Sequence, residues 1–510
     1  NIMIYPVWDA GIGYGYLMAA IAVVHVFISH FAIGGGLYLV VTETRARRRN
    51  DQALLAYLPR LSKFFALVTL VAGAITGVGI WFVIGLISPA ATEALIHHFV
   101  WFWAIEWTFF VVEIAAAILY FYGWTRLSAR NHMIIGWIYF IAAWLSLVVI
   151  NGIVSFMLTP GDWLATGEIW TGYFNPTYWG ALAFRTGICI MLAGLVAMLV
   201  ASREKSPDTR SRISRYNALW TLVGIAIMAP SYRLYWTEIP AEVVKAVHTM
   251  MPSPQVYLSM SVWSMVVIAV LVTVIGIVFS RRLHLVSALL LMICGLAFFG
   301  EFEWFRESVR KPYVIYGYQY GNGIDLADES KIRTDGLLPH IAYRTGNDGA
   351  DLFRRACGSC HTIGGYRALK PAFDGTDTMF IAGVIMGTHM MRGNMPPFFG
   401  KDTEAKAIAR YIHDRLDHRS LTEIYGLSGM ELGKKVYAIR CGKCHVIGGY
   451  NDKSETIAGA SDDDYATLKS SSGELSEFMP GWSGTDEEWN AMIQYLKTLK
   501  AGGADATSGL

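Results

Sequence analysis

Apolar residues fill residues 1–305 in runs of about twenty, the length a helix needs to cross a bilayer, and then give way to mixed polar sequence. Eight spans are predicted, at roughly 14–41, 63–87, 98–122, 132–158, 178–201, 215–232, 256–280 and 284–304, the sixth being the shortest. Residues 313–510 read as soluble protein, with alternating charge, glycine turns and Asp/Glu/Lys clusters; the change falls near "RKPYVIYGYQYGNG" (310–323). The pattern predicts an all-α chain: an eight-helix transmembrane bundle (1–312), a linker (313–345), two small helical domains (346–420 and 421–503) and a tail (504–510).

Composition agrees, since the chain is 54% hydrophobic and only 16% charged, too apolar for an ordinary soluble protein. The net charge of +2 gives no electrostatic reason to bind nucleic acid. The first residues, "NIMIYPVWDAGIGYGY", lack a basic n-region and a small-residue cleavage site, so the first apolar run is expected to carry targeting. Basic residues then set the orientation. The loops "TRARRRND" (44–51), "TRLSARNH" (125–132), "SREKSPDTRSRISR" (202–215) and "SRRLH" (280–284) are basic, whereas "SPAATEALIHH" (88–98) and "TPGDWLATGEIW" (159–170) contain no Lys or Arg. The expected location is a bacterial inner membrane, crossed several times, with the basic loops cytoplasmic and both the N-terminus and the polar half on the periplasmic side.

The polar half contains "CGSCH" (357–361) and "CGKCH" (441–445). Two thiols at this spacing can form thioethers to a heme, and the adjacent His can ligate its iron. The surroundings repeat too. Gly349 and Gly433 lie eight residues before each motif, Phe353 and Tyr437 four before, and "IGGY" follows both. Met395 and Met479, each followed by Pro, lie 34 residues beyond His361 and His445. Two covalent hemes c are therefore expected, on Cys357, Cys360, His361 and Met395 and on Cys441, Cys444, His445 and Met479. Met390, Met391 and His389 are rival ligands for the first, but only Met395 fits the repeat. Disulfides or zinc sites are the bland alternative for the paired cysteines. The two modules resemble class I cytochrome c domains, in which Met/His ligation suits electron transfer. Cys189 and Cys294 lie singly in spans and read as packing residues.

Titratable side chains in hydrocarbon are costly and point to function. In or near the spans these are His25, His30, Glu106, Glu113, Arg185, Glu301, Glu303, Arg306 and Glu307, with His97, His98 and His248 in outer loops. His25 and His30 are about 140° apart on a helix. Glu106 and Glu113 share one face and suggest a proton path, the bland alternative being interhelical hydrogen bonding.

These residues resemble subunit I of the cytochrome bd-type oxygen reductases. "HVFISHFAIGGGLYLVVTET" (25–44) resembles that family's first helix, with His25 at the position of a heme ligand and His30 in place of a proline. "AIEWTFFVVEIAAAILYFYGWTRL" (104–127) resembles its third helix, with its two carboxylates one residue closer together. "WFRESVRKPY" (304–313) resembles the segment that supplies a Glu ligand to a high-spin heme, here Glu307, with Trp304 and Arg310 beside it. Two elements of the family depart: Arg185 stands about where a low-spin heme histidine is expected and Ile268 where its methionine is, and the long quinol-binding loop is reduced to about 20 residues.

The resemblance implies two or more membrane hemes of b and/or d type, a second membrane subunit, and lipid around both. The expected activity is a terminal reductase in which a soluble cytochrome c or other periplasmic carrier feeds the hemes c. A His25/Glu307 di-heme site, with His30 nearby, then reduces O2 or NO, and Glu106, Glu113, Trp304 and Arg310 are the catalytic candidates. Two alternatives remain: a quinol:cytochrome c reductase with the flow reversed, and a non-catalytic conduit subunit.

Overall fold

A computed structural model of the chain describes residues 11–391, 393–475 and 478–499. Eight long helices build the bundle: α1 (Tyr14–Arg48), α2 (Gln52–Ile87), α3 (Val100–Gly123), α4 (Ala129–Phe156), α5 (Tyr178–Ala201), α6 (Pro207–Thr237), α7 (Pro252–Val278) and α8 (Leu285–Val309). Among the described residues, seven of them are long and apolar enough to cross a membrane. The exception is α6, which corresponds to the shortest of the predicted spans. Its first turns carry Arg210, Arg212 and Arg215, and its mid-length polar groups Asn217 and Thr221 are buried. It nonetheless runs antiparallel to α5 over most of that helix's length. Large apolar side chains such as Trp101, Phe82 and Val286 face outward, as a lipid-facing surface requires.

Glycine makes the closest helix contacts. A Cβ on Gly180, Gly187 or Gly194 of α5 would lie within 2.3–2.7 Å of atoms of Tyr235, Met228 and Thr221 on α6. On α1, a Cβ on Gly34 would come within 1.8 Å of the Cys189 carbonyl oxygen. Small residues at such seams are how helices associate in lipid, where apolar surface gains nothing from leaving water. Helix α5 is consequently the most buried in the bundle, with α1, α4, α6 and α8 around it. Cys189 packs there at 1% exposure, as its isolated position suggested.

Beyond α8, a short antiparallel pair, β1 (Tyr313–Ile315) and β2 (Gln319–Tyr320), is tied to the end of α4 through Tyr316 N–H and the Met157 carbonyl, 2.9 Å apart. Each polar module then crosses an N-terminal helix over a C-terminal one: Asp348–Ala356 over Asp402–His413, and Gly429–Arg440 over Asp486–Lys497. The repeated glycines are the crossing points. A Cβ on Gly349 would meet the Ala407 carbonyl at 2.6 Å, and one on Gly433 the Ala491 carbonyl at 2.0 Å.

Gly34→Ala is expected to destabilise the folded bundle by about 1–3 kcal/mol through overpacking against Cys189. Thermal unfolding in detergent, followed by circular dichroism, measures this against Gly85→Ala, a position where an added Cβ has nothing within 4 Å.

Candidate heme sites and polar paths

The cysteines of both C-x-x-C-H motifs are free thiols, so the disulfide alternative fails. Among the described residues, no group of three or more His, Cys, Asp or Glu side chains is placed to hold a metal ion. The histidines fit iron ligation. His361 Nδ1 lies 3.0 Å from the Arg367 carbonyl and His445 Nδ1 lies 3.1 Å from the Asn451 carbonyl. A carbonyl only accepts, so each Nδ1 carries the proton and each Nε2 keeps its lone pair for a metal. Arg367 and Asn451 both have positive φ, 48° and 47°, so the same strained turn is used twice.

The repeat extends into positions that the motifs did not disclose. Glu404 accepts from the backbone N–H groups of Leu337, Leu338 and Lys401. Glu488, its counterpart, accepts from those of Leu421 and Thr485. Leu337 and Leu421 are themselves 84 residues apart, as the two heme histidines are. The signal available in the sequence was that shared spacing.

The first module rests on one end of the bundle. Cys360 Sγ lies 3.9 Å from Lys311 Nζ, which pairs with Glu307 Oε1 at 2.8 Å. Burial lowers the Lys311 pKa from its ordinary value. Beside Met395, Asn394 Nδ2 donates to the Lys311 carbonyl (3.1 Å), and Gly393 N–H donates to the Met250 carbonyl (3.0 Å). Trp304 Nε1 lies 3.4 Å from Tyr366 Oη, with Tyr257 stacked on the indole. The predicted ligand Glu307 is bound in ion pairs to Arg310 and Lys311 and its side chain is 44% exposed. Arg310 also reaches the Val314 carbonyl.

Within the bundle, the two histidines of α1 diverge as their spacing predicts. His25 faces α2. Its Nδ1 lies 3.1 Å from Thr76 Oγ1, whose own proton goes to the Ala72 carbonyl at 2.7 Å. Thr76 can then only accept, which again leaves Nε2 unprotonated. A Cβ on neighbouring Gly77 would lie 3.1 Å from this ring, so glycine gives it room. His30 faces α8 and is 2% exposed, its ring edge-on to Phe299. Its Nδ1 donates to the Val26 carbonyl at 2.7 Å, and its Nε2 is buried without a partner. An unpaired buried lone pair is costly unless a ligand takes it, so His30 fits a membrane heme.

Arg185 is also buried, 4.0 Å from Glu303, which pairs with Arg306 at 2.6 Å. A salt-bridge cluster therefore occupies the place where the resemblance put a low-spin heme histidine. His98 packs against Trp163 and Tyr318, and His248 against Trp236. With His97, His98 also lines a cavity of about 500 Å³ beside the linker.

The acidic pair on α3 belongs to a longer ladder. Glu106, Glu113 and Tyr120 recur every seven residues, as do Ser146, Tyr139 and His132 on antiparallel α4. Ser146 Oγ donates to Glu106 at 2.8 Å, and Tyr139 Oη lies 3.0 Å from Glu113. Tyr120 stacks on His132, and both reach Glu43 of α1, Tyr120 at 2.8 Å and His132 Nδ1 at 2.8 and 2.9 Å. Arg47 completes this group at 2.7 Å. Glu43, Tyr120 and His132 were not singled out from the sequence; the doubled seven-residue spacing was the signal for Tyr120 and His132. His132 Nε2 lies 2.9 Å from the Tyr120 carbonyl and so carries a proton. Hydrogen-bonded groups therefore recur from the basic-loop end of the bundle toward the level of Glu106.

Glu43→Ala is expected to cost about 3–5 kcal/mol, because it leaves the buried His132 and the partly buried Arg47 without their carboxylate partner. Glu43→Gln, which keeps the shape, should cost less. Melting temperatures of the two variants in detergent test the ordering.

Comparison with known proteins agrees with this architecture. Residues 16–235 match the family model described as Cytochrome bd terminal oxidase subunit I. Residues 344–412 and 429–496 each match Cytochrome C oxidase, cbb3-type, subunit III. A search of curated proteins found no match. Among solved structures, the bd oxidase from Geobacillus thermodenitrificans is similar in fold, with 16% identity and a TM-score of 0.53 over 61% of this chain and 90% of that one. The first of these matches ends before Trp304, Glu307 and Arg310. The chain thus joins a membrane domain like cytochrome bd subunit I to two cytochrome c domains, in a heme-containing oxidoreductase of membrane electron transport.

Proposed function

We propose that the protein is a terminal reductase fed by c-type hemes: a periplasmic one-electron carrier reduces the hemes c, and a membrane di-heme site reduces O2, or NO, with protons from the cytoplasm. The observation that carries this reading is the position of the first C-x-x-C-H motif, with Cys360 against Lys311 and Lys311 against Glu307. The basic loops make the opposite end cytoplasmic and the module end periplasmic, in a bacterial inner membrane. Cys357, Cys360, His361 and Met395 would hold one heme c, and Cys441, Cys444, His445 and Met479 the other. In the bundle, His25 and His30 offer unprotonated Nε2 atoms, and Glu307 is the carboxylate at the module end. A membrane heme held by one protein ligand supplies an open iron position for a diatomic gas.

The chain's own residues have three roles in this reading. Trp304 and Tyr257 cover the seam between bundle and module. Arg310 and Lys311 hold the Glu307 carboxylate at the bundle end. Glu43 and His132 take protons at the cytoplasmic end, and Tyr139, Glu113, Ser146 and Glu106 carry them inward. A second membrane subunit and lipid would cover the outward apolar faces.

A CO difference spectrum of the dithionite-reduced protein tests the open iron. Strong CO binding by a b- or d-type heme is expected; no binding would overturn the reading and favour quinol oxidation. Glu113→Gln is expected to lower turnover at least tenfold while leaving anaerobic heme reduction unchanged. An unchanged rate of gas consumption would remove the ladder from the proton path.

A further inference from the structure

Both "IGGY" motifs end in a tyrosine five residues past the heme histidine, Tyr366 and Tyr450. Neither is needed to attach or ligate a heme, and each reaches out of its own module. The Tyr366 ring enters the bundle. A Cβ on Gly13 or Gly15 would lie 3.0 or 2.9 Å from its atoms, and its Oη lies 3.4 Å from Trp304 Nε1. Tyr450 makes the equivalent move one module further out: its Oη donates to the Met390 carbonyl of the first module at 3.2 Å, five residues before Met395.

The surrounding contacts follow the same order. On the first module, the cysteine and methionine sides of the expected heme both face the bundle, through Cys360 with Lys311 and through Asn394 with the Lys311 carbonyl. On the second, the residues on either side of Met479 face the first module. The Phe478 ring stands edge-on to His389 at 4.7 Å, and a Cβ on Gly383 would touch Pro480 at 3.0 Å. Arg440 donates to the Asp374 and Gly375 carbonyls, and Ser483 Oγ accepts from Asp377 N–H.

We propose that the paired tyrosines fix a serial relay: the second heme c exchanges electrons only with an outside carrier and the first heme c, and the first heme c alone exchanges them with the membrane domain. The inference rests on the reading that both motifs carry heme. In each step one ferrous heme loses one electron and the next ferric heme gains it. No bond changes and no proton moves at Tyr450, Tyr366 or Trp304, which act as positioning residues that hold consecutive partners in contact.

The test uses the full chain in detergent, oxidised and without oxygen, mixed rapidly with a reduced soluble c-type cytochrome. Heme c and membrane-heme absorbance are followed separately. Tyr366→Ala should leave both hemes c reduced at the parental rate and slow the membrane heme at least tenfold, while Tyr366→Phe, which keeps the ring, stays within about threefold. Tyr450→Ala should leave only half of the heme c absorbance fast and slow everything after it. An unslowed membrane heme in Tyr366→Ala, or the same kinetic pattern in both alanine variants, would overturn the serial order. Fewer than two hemes c per chain by pyridine hemochrome would overturn the functional reading itself, which separates the two failures.

A second readout needs no electron transfer. p-Benzoylphenylalanine at position 366 should photocross-link to peptides containing residues 13–16 or 304, and at position 450 to peptides containing residues 388–391. Cross-links from position 450 to the bundle would overturn the proposal.

Discussion

Helices in hydrocarbon associate by contact rather than by escape from water, so the distance between their backbones decides what can be built. In this protein that distance is set on α5. Three glycines seven residues apart bring α6 against it, and Gly34 of α1 meets it at Cys189. With α1 held there, His30 turns toward α8 and His25 toward α2. The same placement sets Glu43 beside α3 and α4, where Tyr120 and His132 reach it.

The polar groups of the bundle follow from the expense of leaving them unpaired in that environment. They separate into two sets with different partners. One set, Glu43, Glu113 and Glu106, is made of carboxylates, each hydrogen-bonded to its own partner on α3 or α4. The other, Arg185, Glu303 and Arg306, is an ion cluster that closes the α5–α8 seam. The difference is chemical: guanidinium groups do not give up protons in proteins, so the second set neutralises charge, whereas the first is built of carboxyl, hydroxyl and imidazole groups.

The duplicated modules were the most legible part of the chain. Cysteine, histidine and Met-Pro at fixed offsets define the chemistry whatever the fold does with them, and the crossing glycines Gly349 and Gly433 were visible by the same repeat. The eight runs of the bundle were legible because a bilayer demands about twenty apolar residues wherever a helix crosses. The weakest of them, α6, fell short on composition because its first turns carry arginines and its buried polar residues meet α1, α5 and α7 rather than lipid. Glu307 was read from a motif resemblance together with its neighbour Arg310, but Lys311 became visible as its second partner only in the structure.

The sequence by itself determined the helical bundle, its orientation signals, the two covalent heme motifs and the family likeness, because each is written in local spacing or in runs of one residue class. Tertiary structure decided which nitrogen of each histidine is free, that Glu43 and His132 join the acidic ladder, and that the first module lies on the bundle while the second lies on the first. Those outcomes depend on groups distant in sequence meeting across helices or modules, and no local pattern in one strand of sequence specifies its partner in another.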